Sequence, residues 1–170
     1  IDDVRYSVIT YAASQQANAM GPSVIDPRSG EIIEADVVWW HNVMTLLHTW
    51  IRVQNGPVDP RARLNTFDDE YMASVIRFVS SHEVGHTFGL KHNMGASWSF
   101  PVDSLRSRTF TAKMGGTASS IMDYARFNYV AQPEDHVERF TPVIGIYDKY
   151  AINWAYRWLD AKDPHEELPV

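Results

Sequence analysis

The stretch "SSHEVGHTFGLKHN", residues 81–94, is the part of this chain that least tolerates an arbitrary fold. His82 and His86 are four positions apart, so on a helix they stand about 6 Å apart along the axis and about 40° apart around it. Both imidazoles can then reach one point. Glu83 lies roughly 100° further round than His82, near enough to touch something bound at that point but turned off the line joining the rings. That placement suits a base better than a ligand. A sharp turn at Gly89, which can take the left-handed conformation at a helix end, brings His92 back to the same point. Three imidazoles leave a fourth tetrahedral position open, as catalytic zinc sites do. Five such residue types, each used at a few per cent, coincide in a chain of this length on the order of once in 10⁵.

That arrangement has a definite chemistry. Zinc lowers the pKa of a bound water from about 15.7 toward about 7 and polarises a carbonyl oxygen. Glu83, within a hydrogen bond of that water, can take its proton during attack on a peptide carbonyl and pass it to the leaving amine. The competing reading is a non-catalytic zinc-containing module that binds peptide, or an inactive fragment. Structural zinc sites close their fourth position and have no use for an unliganded carboxylate, so Glu83 favours the enzyme. A zinc hydrolase of non-peptide amides would share the ligands, and other divalent transition metals also accept three imidazoles.

Composition removes other classes. The 170 residues are 45% hydrophobic, one domain's worth of chain with enough apolar surface for a core. A net charge of −6 and no basic stripe with interleaved aromatics argue against nucleic acid as a partner. No apolar run is long enough to span a membrane. The absence of cysteine excludes disulfides, thiolate-ligated metal and a cysteine nucleophile together. The chain opens at Ile1 with neither an initiator Met nor a targeting segment, as a piece of something longer would.

Along the chain, "VRYSVITYA" (4–12) reads as a strand, 13–21 as a loop, and 22–26 with 31–39 as a hairpin about a Pro/Gly turn. Val43, Leu46, Leu47, Trp50 and Ile51 mark one face of a helix over 42–54, ended by Gly56-Pro57. Thr66 or Asp68 caps a second helix over 69–88; the acidic "FDDE" (67–70) is then a helix start rather than a calcium site. Residues 93–120 read as irregular. A last helix in "IYDKYAINWAYRWLD" carries Tyr147, Tyr150, Ala151, Trp154 and Trp158 on one face, and the six tryptophans are assigned to core packing. The tail 161–170 is expected to fray. His41, His48, His136 and His165 lack ligand-like partners at fixed spacing.

The pattern His82-Glu83-x-x-His86-x-x-Gly89-x-x-His92 and the segment "SSIMDYARF" (119–127), with its Ser-x-Met-x-Tyr form, resemble the zinc signature and Met-turn of the metzincin metallopeptidases. The resemblance implies an α+β, zincin-like catalytic domain over 1–170 with a small twisted mixed sheet, an active-site helix and a C-terminal helix. It implies Zn2+ held by His82, His86 and His92, Glu83 as general base, Met122 beneath the site, and Tyr124 approaching the metal or the oxyanion as in astacin- and serralysin-like members. It further implies a substrate-binding edge strand, matched here by Met20, Gly21, Pro22, Ser23, Val24 and Ile25, which would add a protein or peptide substrate as a further strand. The specificity pocket would lie between the active-site helix and residues Tyr124 to Tyr129. Asp148, Ala151 and Tyr156 resemble the helix that follows the Met-turn.

The wider run, including "GPSVIDPRSGEIIEADVVW", resembles a group of large bacterial envelope or secreted zinc-dependent metalloproteases, which implies an extracellular, periplasmic or envelope location. Two departures stand out. Asn93, after the third candidate ligand, does not match the marker residues of the matrixin, astacin, serralysin or adamalysin branches, so no subfamily specificity carries over. The family's sheet also begins with a strand, a helix and a second strand ahead of the one at 4–12, elements expected upstream of Ile1.

Overall fold

Two helices with apolar stripes organise the chain. In α1 (Val43–Asn55) the spacing of Val43, Leu47 and Ile51 lines up one face, and all three are buried. In α2 (Asp69–Thr87) Tyr71, Val75 and Phe78 form the corresponding stripe, which runs on in register through His82 and Gly85. The structure, a computed structural model, describes residues 3–160 and 162. Asp68, one of the two residues expected to cap α2, does so: its side chain accepts a hydrogen bond from the Tyr71 N–H at 2.8 Å. Gly89 ends the helix at φ = 82°. The Leu90 N–H reaches the Gly85 carbonyl and the Gly89 N–H reaches the His86 carbonyl, the two bonds of a left-handed helix stop.

Five short strands complete an α+β fold: β1 (Ile9–Ala12), β2 (Ala19–Met20), β3 (Ser23–Ile25), β4 (Ile32–Ala35) and β5 (Val37–Trp40). A mixed sheet has the order β1-β5-β2, with β1 parallel and β2 antiparallel to β5. β3 and β4 form a separate antiparallel ribbon. The hairpin arm expected over 31–39 is therefore two strands. The chain swivels at Asp36, whose N–H donates to the Pro22 carbonyl and whose carboxylate accepts from the Val8 N–H at 2.8 Å. The first arm divides likewise at Gly21-Pro22, so Met20 and Ser23–Ile25 belong to different sheets and the expected edge strand over Met20–Ile25 is not continuous. The segment 13–21, read as loop, supplies β2, and the strand expected over 4–12 is ordered as β only over Ile9–Ala12.

The core joins the sheet (Ala19, Trp39), α1, α2 and the segment bearing Ile121, Met122 and Phe127. Each large side chain fully buried there contributes about 1.5–3 kcal/mol. Residues 93–120 hold three short helices, α3 (Gly95–Trp98), α4 (Val102–Leu105) and α5 (Arg108–Met114), which wall the molecule beyond α2. Trp98 is 90% exposed, so core packing does not account for every tryptophan.

The last helix, α6 (Ile146–Tyr156), corrects another expectation. Its aromatic face, Tyr147, Tyr150 and Trp154, is exposed, and Trp158 lies past its end and is 87% exposed. The residue it buries is Asp148. That carboxylate accepts from Ser120 Oγ at 2.5 Å, the Ile121 N–H at 2.7 Å and the Gly145 N–H at 2.7 Å. At the other end the Tyr156 hydroxyl donates to the Phe88 carbonyl at 2.9 Å. The helix is thus fastened by polar contacts to the segment under α2 and to the end of α2, with its aromatics outward. The tail expected to fray lies, except for Lys162, outside the described residues, as does His165.

Asp148→Ala removes three hydrogen bonds to a buried carboxylate and leaves the Ile121 N–H unpaired, a loss on the order of 3 kcal/mol. Urea unfolding of the variant is expected to show a midpoint lowered accordingly, with the denaturant slope unchanged.

Candidate metal centre

His82 and His86 project from the C-terminal half of α2, and the glycine stop at 89 returns the chain so that His92 faces them. One ring nitrogen from each of the three lies within 4.8 Å of the other two. His86 Nε2 and His92 Nε2 are 3.2 Å apart. The remaining nitrogens of the helical pair are already committed: His82 Nδ1 lies 2.7 Å from the Ile121 carbonyl and His86 Nδ1 lies 2.8 Å from the Leu90 carbonyl. A carbonyl can only accept, so each Nδ1 carries the proton and each Nε2 presents a lone pair toward the cluster.

Burial favours the neutral, metal-binding form of His82 and His92. Burial pushes His82 down to about 4, against the opposing pull of the Ile121 carbonyl. His92 is lowered as well, by burial first and by His86 second. Three imidazoles converging on one point, two of them oriented by backbone carbonyls, are a donor set that fits zinc.

Glu83 is buried beside them, and among the described residues no Lys or Arg forms an ion pair with it. Burial raises its pKa, while His86 and the Gly21 backbone N–H act in the opposite direction. Gly21 comes close here because it lacks a side chain: a Cβ at that position would stand 2.5 Å from the Glu83 carbonyl oxygen. That approach brings the end of β2, the edge of the mixed sheet, alongside the histidine-bearing part of α2.

Beneath the cluster, Met122 is buried, and its sulfur occupies the space that a side chain on Gly85 would need. The Met122 carbonyl accepts from the Asn93 N–H at 3.0 Å, tying the residue after His92 to this segment. Tyr124 is half exposed, with its hydroxyl 2.9 Å from His92 Nε2. The structure therefore gathers His82, His86, His92, Glu83, Met122 and Tyr124 around one centre. From the proposed substrate strand it brings up only the part around Met20 and Gly21. Val24 and Ile25 sit in the separate ribbon.

A cavity of about 160 Å³ opens beside His82 and Glu83. Its walls come from α2 (Phe78, Val79), from Tyr124 and Arg126, and from α1 (Val43, Leu46, Trp50). The contribution of α1 is invisible in the sequence, since residues 43–50 carry no chemical motif. A larger cleft of about 730 Å³ lies along another flank of α2, against Ser74, Ser81 and Phe140, and includes none of the three histidines. Two of the other described histidines have structural partners of their own: His48 stacks on Phe67 with ring centres 4.2 Å apart, and His41 contacts the Tyr11 hydroxyl.

Comparison with known proteins gives one positive result. Searches of curated proteins and of solved structures return no significant match. A family model described as Met-zincin matches residues 64–170, the segment that carries α2, the three histidines, Met122, Tyr124 and α6. That span is more than half of the chain and contains the whole centre described above, and the protein belongs to the Met-zincin family.

Proposed function

We propose that this protein is a zinc-dependent endopeptidase that hydrolyses peptide bonds in protein substrates, with His82, His86 and His92 as the metal ligands and Glu83 as the general base. The observation that carries the reading is the pairing of three converging imidazoles with a buried carboxylate that has no ion-pair partner among the described residues. A closed structural site needs the first and not the second. When bound, zinc supplies Lewis-acid polarisation of the scissile carbonyl and acidifies the attacking water.

The chain's own groups do the rest. Glu83 accepts the proton of the attacking water and delivers it to the amine that leaves. Its buried surroundings make the protonated form accessible for that second task. Tyr124, with its hydroxyl at His92 Nε2, is within reach of the oxygen that gains negative charge and stabilises it by donating a hydrogen bond. Met122 serves as the Met-turn residue, a packed floor under the histidines. The exposed edge at Met20 pairs with the substrate main chain, and the cavity between α1, α2 and Tyr124 receives a substrate side chain. An envelope or extracellular location goes with this reading through the resemblance of the sequence alone.

Two measurements test it. Zinc-loaded wild-type protein is expected to cleave a denatured protein substrate, and Glu83→Gln to lower kcat/KM by about 10²–10⁴-fold while retaining one zinc per chain. Equal proteolysis by the two forms sinks the assigned mechanism, and zinc binding without proteolysis in the wild type points to the non-catalytic module. Tyr124→Phe is expected to lower kcat by about 10²-fold with little change in KM, because the lost hydrogen bond is made only to the developing charge. A rise in KM at unchanged kcat would instead make Tyr124 a substrate-binding residue.

A further inference from the structure

The cavity beside His82 contains one arginine whose charge no carboxylate among the described residues neutralises. Arg126 is half-buried in its wall. Its guanidinium lies between two aromatic rings that also line the cavity, 3.9 Å from the ring centre of Trp50 and 4.8 Å from that of Tyr124. Among the described residues it forms no ion pair and no side-chain hydrogen bond. The more exposed Arg61, by contrast, is engaged by Asp59 at 2.9 Å. Glu83 lines the same cavity, yet no ion pair joins it to Arg126.

The backbone holds Arg126 in this place. Its φ of 59° lies in the left-handed region, which a residue with a long side chain seldom adopts. The Thr117 hydroxyl donates to its carbonyl at 2.8 Å, and the next residue, Phe127, is packed in the core against Phe78. A fixed, unpaired guanidinium at a pocket wall keeps its five donors for a ligand, and the planar group that matches their geometry is a carboxylate. The remaining lining suits the stem of such a side chain: Val43, Leu46, Val79 and Phe78 are apolar, and about 160 Å³ admits one side chain of moderate size.

We propose that Arg126 is a specificity-determining residue, and that this cavity selects an acidic side chain, glutamate above aspartate, in the substrate residue beside the scissile bond. The proposal rests on the endopeptidase reading of the neighbouring centre for the word substrate, and on the cavity alone for the choice of charge. Glutamate fits better because its extra methylene spans the apolar walls before the carboxylate meets the guanidinium. Contact with the two rings partly shields the guanidinium from water, which strengthens its attraction for an anion.

Equilibrium binding tests the charge selection without requiring turnover. Three acetylated and amidated decapeptides, identical except for a single central Glu, Gln or Lys, are titrated into zinc-loaded Glu83→Gln protein, with and without Arg126→Gln, and Trp fluorescence is followed. The Glu peptide is expected to bind about tenfold more tightly than the Gln peptide, with the Lys peptide weakest. Arg126→Gln should bring the Glu/Gln ratio to about one. A second variant, Arg126→Lys, should keep part of the preference. Equal binding of the Glu and Gln peptides to the protein with Arg126 intact overturns the proposal with no variant needed, and so does a ratio that survives Arg126→Gln. Sequencing the cuts made by wild-type protein in a denatured substrate separates the two levels. Cuts clustered beside Glu support both; charge-selective binding without any cut would defeat the endopeptidase reading and leave the acid-selecting pocket standing.

Discussion

The carboxylate of Asp148 and the three groups that donate to it hold the rest of the centre in register. Asp148 binds Ser120, Ile121 and Gly145 at once, which pins the start of α6 to the segment 119–122. Two of those donors belong to the segment that runs beneath α2, and the carbonyl at the far side of that same Ile121 orients His82 through Nδ1. One residue further on, the Met122 carbonyl secures Asn93, beside His92. A single buried acid thus fixes, through two consecutive peptide units, the direction of one imidazole and the position of the chain carrying another. The approach is tight enough that a side chain on Gly145 would collide with the Ser119 carbonyl. This explains why α6 can leave its aromatic face exposed and still be ordered: its attachment is polar and lies at its two ends.

Legibility in the sequence followed how local each constraint is. The helix over 69–88, its Asp68 cap and its stop at Gly89 were readable because spacing, capping chemistry and glycine conformation are properties of neighbouring residues. The gathering of the three histidines follows from the same local rules. The strands were harder. Residues 31–39 read as one apolar, β-branched run, and only the tertiary pairing of Asp36 with Pro22 and Val8 divides it between two sheets. The spacing of Tyr147, Tyr150 and Trp154 correctly defined a helix face but carried no information about whether anything covers it. Arg126 falls within the pocket wall expected over Tyr124 to Tyr129, but a lone arginine has no motif to single it out, and its packing against Trp50, seventy-six positions away in sequence, is a tertiary contact.

The division of labour across the centre has a physical logic. His82, His86 and Glu83 stand on α2, whose buried stripe of Tyr71, Val75 and Phe78 anchors it in the core up to the turn where His82 begins, and His92 is held beside them by the glycine stop and the Asn93 N–H bond to the Met122 carbonyl. The groups proposed to meet substrate, Met20, Tyr124 and Arg126, stand on short segments at its margin, where exposure is greater. Rigid placement of the reacting groups limits the reorganisation needed during the chemical step.

Charge selection at the margin would also act on the centre itself. A substrate carboxylate held by Arg126 enters close to His82 and adds negative potential beside Glu83, whose burial already disfavours its ionised form. In the proposed reaction, acid binding at Arg126 and proton transfer at Glu83 would be electrostatically linked, since both residues line one small cavity. An arginine screened by two aromatic rings suits this position because it attracts the acid without forming a permanent ion pair with Glu83. A lysine there, with a mobile point charge on a flexible stem, could swing to the buried carboxylate and remove the base that the proposed chemistry requires.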